Sequence, residues 1–392
     1  MSTDIGVARK QSVFAVKETT VGTLVFPSDD DLIIPAGNAV MNQSPDFVDS
    51  EEIRDSLDVL DQFQAAMPPG TFTVPMYLRP HATEGSDPQG DVLFESLQGE
   101  KTTGDEATMA TDVATADDIL YKQATTAPSF SLWIKTDHFV QGMSGCTTGQ
   151  AVVSVTNEGA VKGTFTGQGM QMVWAGTDAL QASAATGATH LTVEDADRFK
   201  AGARIYNETQ DDTNGGVGYE IDSVTSATNL LVLTEGIDAS WATDDVIKGY
   251  LPDGTEIGSP IEGRHTAITI NEVSATIKAS DLTINSPKQY VTDEVGTTYP
   301  EAYMEDVRAI TSTLSLYFRK EDAKYFAEGY EGNEVPIRIT FGAAGSRQVI
   351  LHMEKCKLQV PEMDFAAPAV NINMEMTALG TSGEDSLEII FS

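Results

Sequence analysis

Basic residues are scarce in this chain of 392 residues. It carries 24 Lys and Arg against 59 Asp and Glu, a formal net charge of −35. Affinity for DNA or RNA phosphates comes from cationic side chains that displace counterions, so this composition argues against direct nucleic-acid binding. It argues against an anionic membrane surface for the same reason. The charge predicts solubility and mutual repulsion, and a halophilic origin would produce it as well.

Cysteine and long apolar runs are also lacking. The two cysteines, Cys146 and Cys356, stand far apart and form no disulfide framework, which is typical of a reducing compartment. The polar start of the chain does not match a signal peptide, and no stretch is apolar enough for a membrane span. We therefore expect synthesis in the cytosol and no membrane partner.

Motifs that carry chemistry are missing or incomplete. The five histidines have no partner at metal-ligand spacing, so neither a metal site nor a cofactor is predicted. Cys146 replaces the last glycine that a nucleophile elbow would need in the sequence GMSGC. Gly163, Gly167 and Gly169 precede a strand-like segment without lysine, which favours close backbone packing over a phosphate cradle. The calcium-like run that starts at Asp211, DDTNGG, lacks the glutamate of an EF-hand. No enzyme is predicted.

What the chain does have is a strand pattern. Hydrophobic residues make up 41% of it, enough for a folded core. Apolar residues alternate with Ser, Thr or charged residues over the segments 71–78, 151–167, 265–284, 312–318, 335–353 and 370–376, as in half-buried antiparallel strands. Turn residues at 157–159 and 342–345 predict two hairpins. A helix is predicted over 319–332, where Ala323, Phe326 and Ala327 share a face and glycine ends the segment.

Two further segments differ from this pattern. Residues 176–250 contain short strands separated by Gly, Asn and Asp turns, which predicts a small self-contained β domain inserted into a larger one. Residues 82–118 are rich in Thr, Asp and Gly and are predicted to form long surface loops.

The segment Glu51–Gln64 combines an apolar stripe with many carboxylates. Its helical spacing of Ile53, Leu57, Leu60 and Phe63 indicates one face of an amphipathic helix. Between residues 46 and 61, Arg54 is the one basic residue beside seven acidic ones: Asp46, Asp49, Glu51, Glu52, Asp55, Asp58 and Asp61.

Several segments resemble the tail tube (major tail) proteins of tailed double-stranded DNA bacteriophages. The resemblance lies in the strand and turn patterns of residues 9–28, 47–80, 90–102, 144–169, 312–332 and 386–392, all outside 176–250. It implies a mainly β fold, a tail-tube β-sandwich or barrel with a flanking α-helix and an inserted small β domain. Residues 1–175 and 251–392 would form the tube domain, and 176–250 would lie on the outer surface.

The resemblance also implies a function and a set of partners. Six copies would form a ring, and stacked rings would form a hollow tube in the virion, assembled in the host cytoplasm around a tape measure protein. Tail terminator and distal tail proteins would bind the ends, and DNA would pass through the lumen at ejection without specific binding. A wall of carboxylates suits such a conduit, because it repels DNA within a Debye length of about 8 Å at physiological salt.

In such proteins the long connection after an early strand reaches the next ring, and here it corresponds to residues 50–70. The apolar stripe would then be an inter-ring stacking loop, with Glu51, Glu52, Asp55, Asp58 and Asp61 at the rim or lumen. An ordinary amphipathic helix on its own core is the alternative. For the whole chain the alternatives are another β-rich virion component, from the baseplate or capsid decoration, and a secreted β adhesin.

Overall fold

The computed structural model describes residues 9–52, 58, 61–365 and 368–392. Strands account for 45% of the chain and helices for 10%, which confirms the mainly β prediction. Two α-helices are present in the described part of the chain, α1 (Asp91–Gln98) and α2 (Lys324–Glu331). No helix among the described residues has the length and apolarity needed to span a membrane.

The strands fall into three groups along the chain. The first group is β1 (Ser12–Lys17), β2 (Leu32–Ile33), β3 (Val40–Asn42), β4 (Phe47–Asp49), β5 (Gln62–Gln64), β6 (Gly70–Tyr77), β7 (Gly99–Thr103), β8 (Ile119–Gln123), β9 (Phe130–Lys135), β10 (Val140–Thr156), β11 (Lys162–Gly169) and β12 (Gln171–Ala175). The second is β13 (Thr177–Ala179), β14 (His190–Thr192), β15 (Arg204–Asn207), β16 (Tyr219–Thr225), β17 (Leu230–Leu233) and β18 (Val246–Gly249). The third is β19 (Ala267–Ile270), β20 (Val273–Ala275), β21 (Ile277–Asn285), β22 (Lys288–Tyr290), β23 (Tyr303–Glu305), β24 (Ala309–Tyr317), β25 (Glu334–Phe341), β26 (Val349–Leu358), β27 (Glu362–Asp364), β28 (Asn371–Ala378) and β29 (Glu388–Phe391).

The largest array of paired strands, called here the broad sheet, is antiparallel throughout. Its central strands follow the order β3, β6, β11, β10, β21, β24 and β28. From β28 the pairing continues through β26 to β25, β19 and β20, and β26 also pairs with β29, which leads to β8 and β7. A second, smaller sheet has the order β2, β1, β9, β10 and β12.

Strand β10 belongs to both sheets. Its first residues, 140–146, pair with β9 and β12, and residues 147–156 pair with β11 and β21. The register shifts between Met143 and Cys146 and again between Thr148 and Gln150, and Gly145 adopts a φ of +61°. Irregularities of this kind bend a strand, so β10 passes from one sheet into the other.

The alternation in the sequence is reproduced in the burial of the broad sheet. In β24, for example, Ile310, Leu314 and Leu316 are buried while Thr311 and Thr313 are exposed. The two predicted hairpins are confirmed, as β10–β11 and β25–β26. The predicted helix over 319–332 is confirmed as α2, preceded by a 3-10 turn, Lys320–Ala323, and ended by Gly332 at a φ of +67°. Its buried side chain is Tyr325, whereas Ala323 and Ala327 are exposed.

The prediction of surface loops over residues 82–118 is wrong for its middle part. Helix α1 lies there and buries Leu93, Phe94 and Leu97 in the main core. The ring of Phe94 meets the ring of Phe165, on β11, edge-on at 5.0 Å between centroids. The Thr-, Asp- and Gly-rich residues on both sides of α1 dominate the composition of this segment. The short amphipathic pattern of the helix, which packs against the broad sheet, was therefore not recognised.

The glycines near the end of β11 provide the close packing expected of them. A Cβ on Gly167 would lie 2.0 Å from the Thr147 carbonyl oxygen, and one on Gly169 would lie 2.7 Å from Met143 Cγ. Neither distance leaves room for a side chain, so both positions are restricted to glycine by contact with β10.

The six strands β13–β18 form a third sheet, in the order β13, β18, β15, β16, β17 and β14. Most of its core side chains come from residues 180–251, and Phe14, Trp133 and Val140 of the small sheet join the same cluster. The chain enters and leaves this sheet at neighbouring points, since the amide of Gly249 donates a hydrogen bond of 2.9 Å to the carbonyl oxygen of Gly176. That 176–250 is an independent inserted domain stays a prediction.

Candidate interaction surfaces

The outward surface of the seven central strands of the broad sheet carries mostly short polar side chains, with the half-buried Val152 among them. We call it the hydroxyl-rich face. It is formed by Thr73, Gln150, Ser154, Thr164, Thr166, Asp281, Thr283, Asn285, Thr311, Thr313, Ser315, Asn373, Glu375 and Thr377, all exposed or half-buried.

The two carboxylates of the hydroxyl-rich face lie in one cross-strand row. The row runs, neighbour to neighbour, through Glu375, Thr313, Asp281, Ser154 and Lys162. Both carboxylates are exposed, whereas Lys162 is half-buried at the margin. Two further cations lie at the margins: Lys278 donates to Asn371 Oδ1 at 3.2 Å and lies 4.7 Å from the centre of the Tyr317 ring, and the exposed Lys357 of β26 is the cross-strand neighbour of Thr377. The centre of the face is therefore neutral to acidic.

Two short strands beside the central strands of the broad sheet carry exposed apolar residues. Strand β3 pairs with β6, and Val40 on it is 55% exposed. On the other side of the central strands, β27 pairs with residues 371–373 of β28, beside the stretch 376–378 that pairs with β26. Met363 on β27 and the following Phe365 are 42% and 69% exposed. Edge strands with apolar side chains are surfaces on which another chain can add a strand.

Strands β4 and β5 form an isolated two-stranded hairpin, and the three residues of each strand are exposed. Val48 pairs directly with Phe63, and both side chains are 58% exposed. Phe47 is 59% exposed. A two-stranded hairpin is at best marginally stable in water. Exposed apolar residues on such an element indicate a surface that is completed by contact with another molecule.

The structure describes only part of the predicted stacking loop and of the acidic residues around it. Of the stripe, Phe63 lies in β5, while Ile53, Leu57 and Leu60 fall outside the described residues, as does Asp55. Glu51, Glu52, Asp58 and Asp61 are exposed. The helix predicted over Glu51–Gln64 is wrong at its end, where Phe63 is extended.

The reason is cross-strand pairing. The amide of Ser50 donates to the Asp61 carbonyl oxygen at 2.9 Å, and that of Ala65 donates to the Asp46 carbonyl oxygen at 2.9 Å. A short apolar run has no decisive period of its own, so the partner strand determines its conformation.

The segment GMSGC and the calcium-like run that starts at Asp211 both contribute to the packing of the fold. Ser144 and Cys146 are buried in β10, and burial raises the pKa of the Cys146 thiol well above its usual value. Asp212, of the calcium-like run, accepts hydrogen bonds from Tyr219 Oη at 2.8 Å and Trp241 Nε1 at 2.7 Å. Among the described residues no group of His, Cys, Asp or Glu is arranged to hold a metal ion.

The fold and these surfaces define a β-rich structural protein with one polar sheet face, apolar sheet edges and a projecting hairpin. A family model described as phage tail tube protein matches residues 8–228, more than half of the chain. The chain belongs to the phage tail tube protein family. It is thus a structural protein of the bacteriophage virion, located in the tail.

The matched range includes residues 176–228 of the third sheet, whereas the resemblance seen in the sequence was placed outside 176–250. No curated protein is similar enough to the chain to count as a match.

The sequence did not single out the edge residues Val40, Met363 and Phe365. Alternation shows which side chains share a face, but only the pairing order shows which strand is last in a sheet. The sequence did contain a signal of the hydroxyl-rich face, the Thr residues at alternate positions of β11 and β24. It did not indicate that these strands are neighbours of β10 and β21.

Proposed function

We propose that six copies of this chain form a ring and that rings stack into a hollow tail tube. The two margins of the broad sheet support ring formation. Each carries exposed apolar side chains, Val40 on one side and Met363 and Phe365 on the other. A contact between unlike edges is heterologous, and its repetition closes a ring when the rotation between neighbouring copies divides a full turn. It also covers the strand edges that would otherwise promote aggregation.

The projecting hairpin β4–β5 makes the contact between rings. Phe47, Val48 and Phe63 would bury their exposed side chains on the adjacent ring, at about 1.5–3 kcal/mol for each residue that becomes fully buried. The apolar residues Ile53, Leu57 and Leu60 belong to the same connection and form the rest of this stacking contact in our proposal.

The hydroxyl-rich face lines the lumen. Its exposed charges at the centre are Asp281 and Glu375, and its other members offer hydroxyl and amide groups without positive charge. DNA carries about one negative charge per 1.7 Å of helix axis, so a wall of this kind repels it and releases no counterions. The acidic residues Glu51, Glu52, Asp55, Asp58 and Asp61 would add negative charge at the rim. DNA then passes through at ejection without being retained.

The remaining assignments concern partners and domains. During assembly, in the host cytoplasm, the lumen would hold a tape measure protein, and tail terminator and distal tail proteins would bind the two ends of the tube. Residues 1–175 and 251–392 would form the tube domain, and 176–250 an inserted domain on the outer surface. The adjacency of Gly176 and Gly249 supports the last assignment, because an insertion needs its two ends close together.

The observation that carries the proposal is the combination, on one sheet, of a cation-poor polar face and two apolar edges. The test is to concentrate the purified protein and examine it by negative-stain electron microscopy. Hollow tubes of uniform width with sixfold end views are expected. Monomers at all concentrations, or single rings that never stack, would contradict it, and the latter would favour a baseplate or decoration component.

A further inference from the structure

The two ends of the segment that carries the hairpin β4–β5 are joined by one side chain. We call residues 43–68, which contain this hairpin, the projecting arm. Nε2 of Gln43, at its start, donates hydrogen bonds of 2.9 Å to the Pro68 carbonyl oxygen, at its end, and of 2.8 Å to the Met170 carbonyl oxygen. Oε1 of Gln43 accepts from the amide of Met172 at 3.0 Å. The arm is thereby attached to the start of strand β12.

The carbonyl group of Met172 continues this connection into the third sheet. It accepts a hydrogen bond of 2.7 Å from Nζ of Lys200, which belongs to the segment 177–249. The ammonium group lies between two rings, 4.9 Å from the centre of Trp174 and 5.3 Å from that of Tyr299, and it contacts the Tyr299 hydroxyl at 3.3 Å. The Lys200 amide donates to the Trp174 carbonyl oxygen at 2.9 Å, which fixes the position of the lysine backbone on β12.

The loop that contains Tyr299 returns to the arm. The carbonyl oxygen of Thr298 accepts a hydrogen bond of 2.8 Å from the amide of Met67, the residue before Pro68. The contacts therefore form a closed circuit around the base of the arm. Its members, in order, are Gln43, Met172, Lys200, Tyr299 with Thr298, Met67 and Pro68.

We infer that Lys200 is a positioning residue for the projecting arm, and that the third sheet braces the inter-ring contact in addition to covering the outer surface. This inference rests on the proposed stacking of rings. Lys200 is the one member of the circuit that comes from the segment 177–249. Its cation is held by a carbonyl group, a hydroxyl group and two aromatic faces, and a cation between aromatic faces is favourable when partly removed from water. Lys200 is half-buried here.

The test compares Lys200→Met with Lys248→Met in the full chain. Both remove one positive charge from the third sheet, but Lys248 pairs with Glu208 and is not in the circuit. We expect Lys200→Met to speed amide hydrogen exchange at Ser50, Ala65 and Met67 by about tenfold or more in the unassembled subunit, since these amides bond within the arm or to its base. We also expect it to raise the protein concentration needed for tube formation by about fivefold or more.

Lys248→Met should leave both measurements unchanged, and Lys200→Arg, which keeps the cation between the rings, should retain most of the wild-type exchange protection and assembly. Unaltered exchange and assembly in Lys200→Met would overturn the inference, and so would equal effects in Lys248→Met. If the wild-type protein forms no tubes, the proposed function fails, while the exchange measurement still decides whether Lys200 positions the arm.

Discussion

The amide of Gly145 donates a hydrogen bond of 2.8 Å to Oε1 of Glu18, at the point where β10 leaves the small sheet for the broad one. Glu18 is buried and accepts three more hydrogen bonds, from the amide of Gly22 and the hydroxyl groups of Ser129 and Ser131. One carboxylate thus binds the end of β1, the strand β9 and the bend of β10. A buried anion with four donors is favourable only while all four remain in place.

Replacement of Glu18 should therefore destabilise the subunit strongly. Glu18→Ala leaves four donors without their acceptor, three of them buried, and we expect a loss of about 3 kcal/mol or more in the free energy of unfolding. Urea denaturation measures the change. Glu158→Gln, at the exposed turn between β10 and β11, is the control and should alter stability by less than about 0.5 kcal/mol. A Glu18→Ala protein as stable as the wild type would contradict this account.

The lowered pKa of Lys288 should make the free energy of unfolding depend on pH. Burial lowers the pKa of this lysine from 10.5 to about 8, although Glu305 lies 3.1 Å from its Nζ. Above about pH 8 the folded state has lost a proton that the unfolded state keeps up to about pH 10.5, so stability rises with pH in that window. The gain between pH 7 and pH 9.5 is about 2 kcal/mol.

The measurement for Lys288 is the difference in free energy of unfolding between the wild type and Lys288→Met at each pH. Subtraction removes the titration of the buried thiols and tyrosines, which both proteins share. A difference that does not change between pH 7 and pH 9.5 would mean that Lys288 keeps its ordinary pKa.

Charge placed on the hairpin β4–β5 should block the stacking of rings without unfolding the subunit. Val48 and Phe63 form one exposed cross-strand pair, so Val48→Asp with Phe63→Asp removes an apolar contact that the isolated subunit does not bury. We expect a nearly unchanged melting temperature and single rings in place of tubes in negative-stain images. Val217→Asp, at a site 47% exposed in the turn before β16, should leave tubes intact. The variant Leu57→Asp with Leu60→Asp tests the rest of the predicted stacking loop in the same assay.

Reversal of charge on the hydroxyl-rich face should make the lumen retain DNA. Asp281→Lys with Glu375→Lys changes the charge by four units per subunit at the centre of the face. If the face lines the lumen, tubes assembled with short DNA duplexes at low salt should protect the DNA from nuclease, and this protection should fall steeply as salt is raised.

The control for this reversal is Glu194→Lys with Asp222→Lys, an equal change on exposed residues of the segment 177–249. DNA bound there would remain open to nuclease. Protection in the control, or its absence in both variants, would place the hydroxyl-rich face outside the lumen.

How far the sequence predicted this molecule depends on how local each feature is. The hairpins β10–β11 and β25–β26 were predictable because alternation and turn residues are adjacent in the chain. Helix α2 was predictable because Gly332 closes it. The helix expected at Phe63 failed because Val48, fifteen residues away, supplies the strand partner.

The candidate surfaces were harder to predict because they depend on distant pairings. That Thr313 faces outward beside Asp281 and Glu375 requires the order of three strands from different parts of the chain. The contact of Gln43 with Met172, and of Met172 with Lys200, has no local signal at all. Alternation in the sequence predicted which side chains share a face of each strand. Which of the two faces is exposed depends on where α1 and the rest of the core pack, and that is visible only in the structure.

Strand β10 has a mechanical consequence for the assembled tail. Because a single uninterrupted strand is shared by the small and the broad sheet, the two layers cannot slide past each other unless its hydrogen bonds break on one side. A subunit built in this way resists shear as a rigid block. Bending of a tube made from such blocks would be accommodated at the joints between copies, and its bore would keep a constant diameter along the curve.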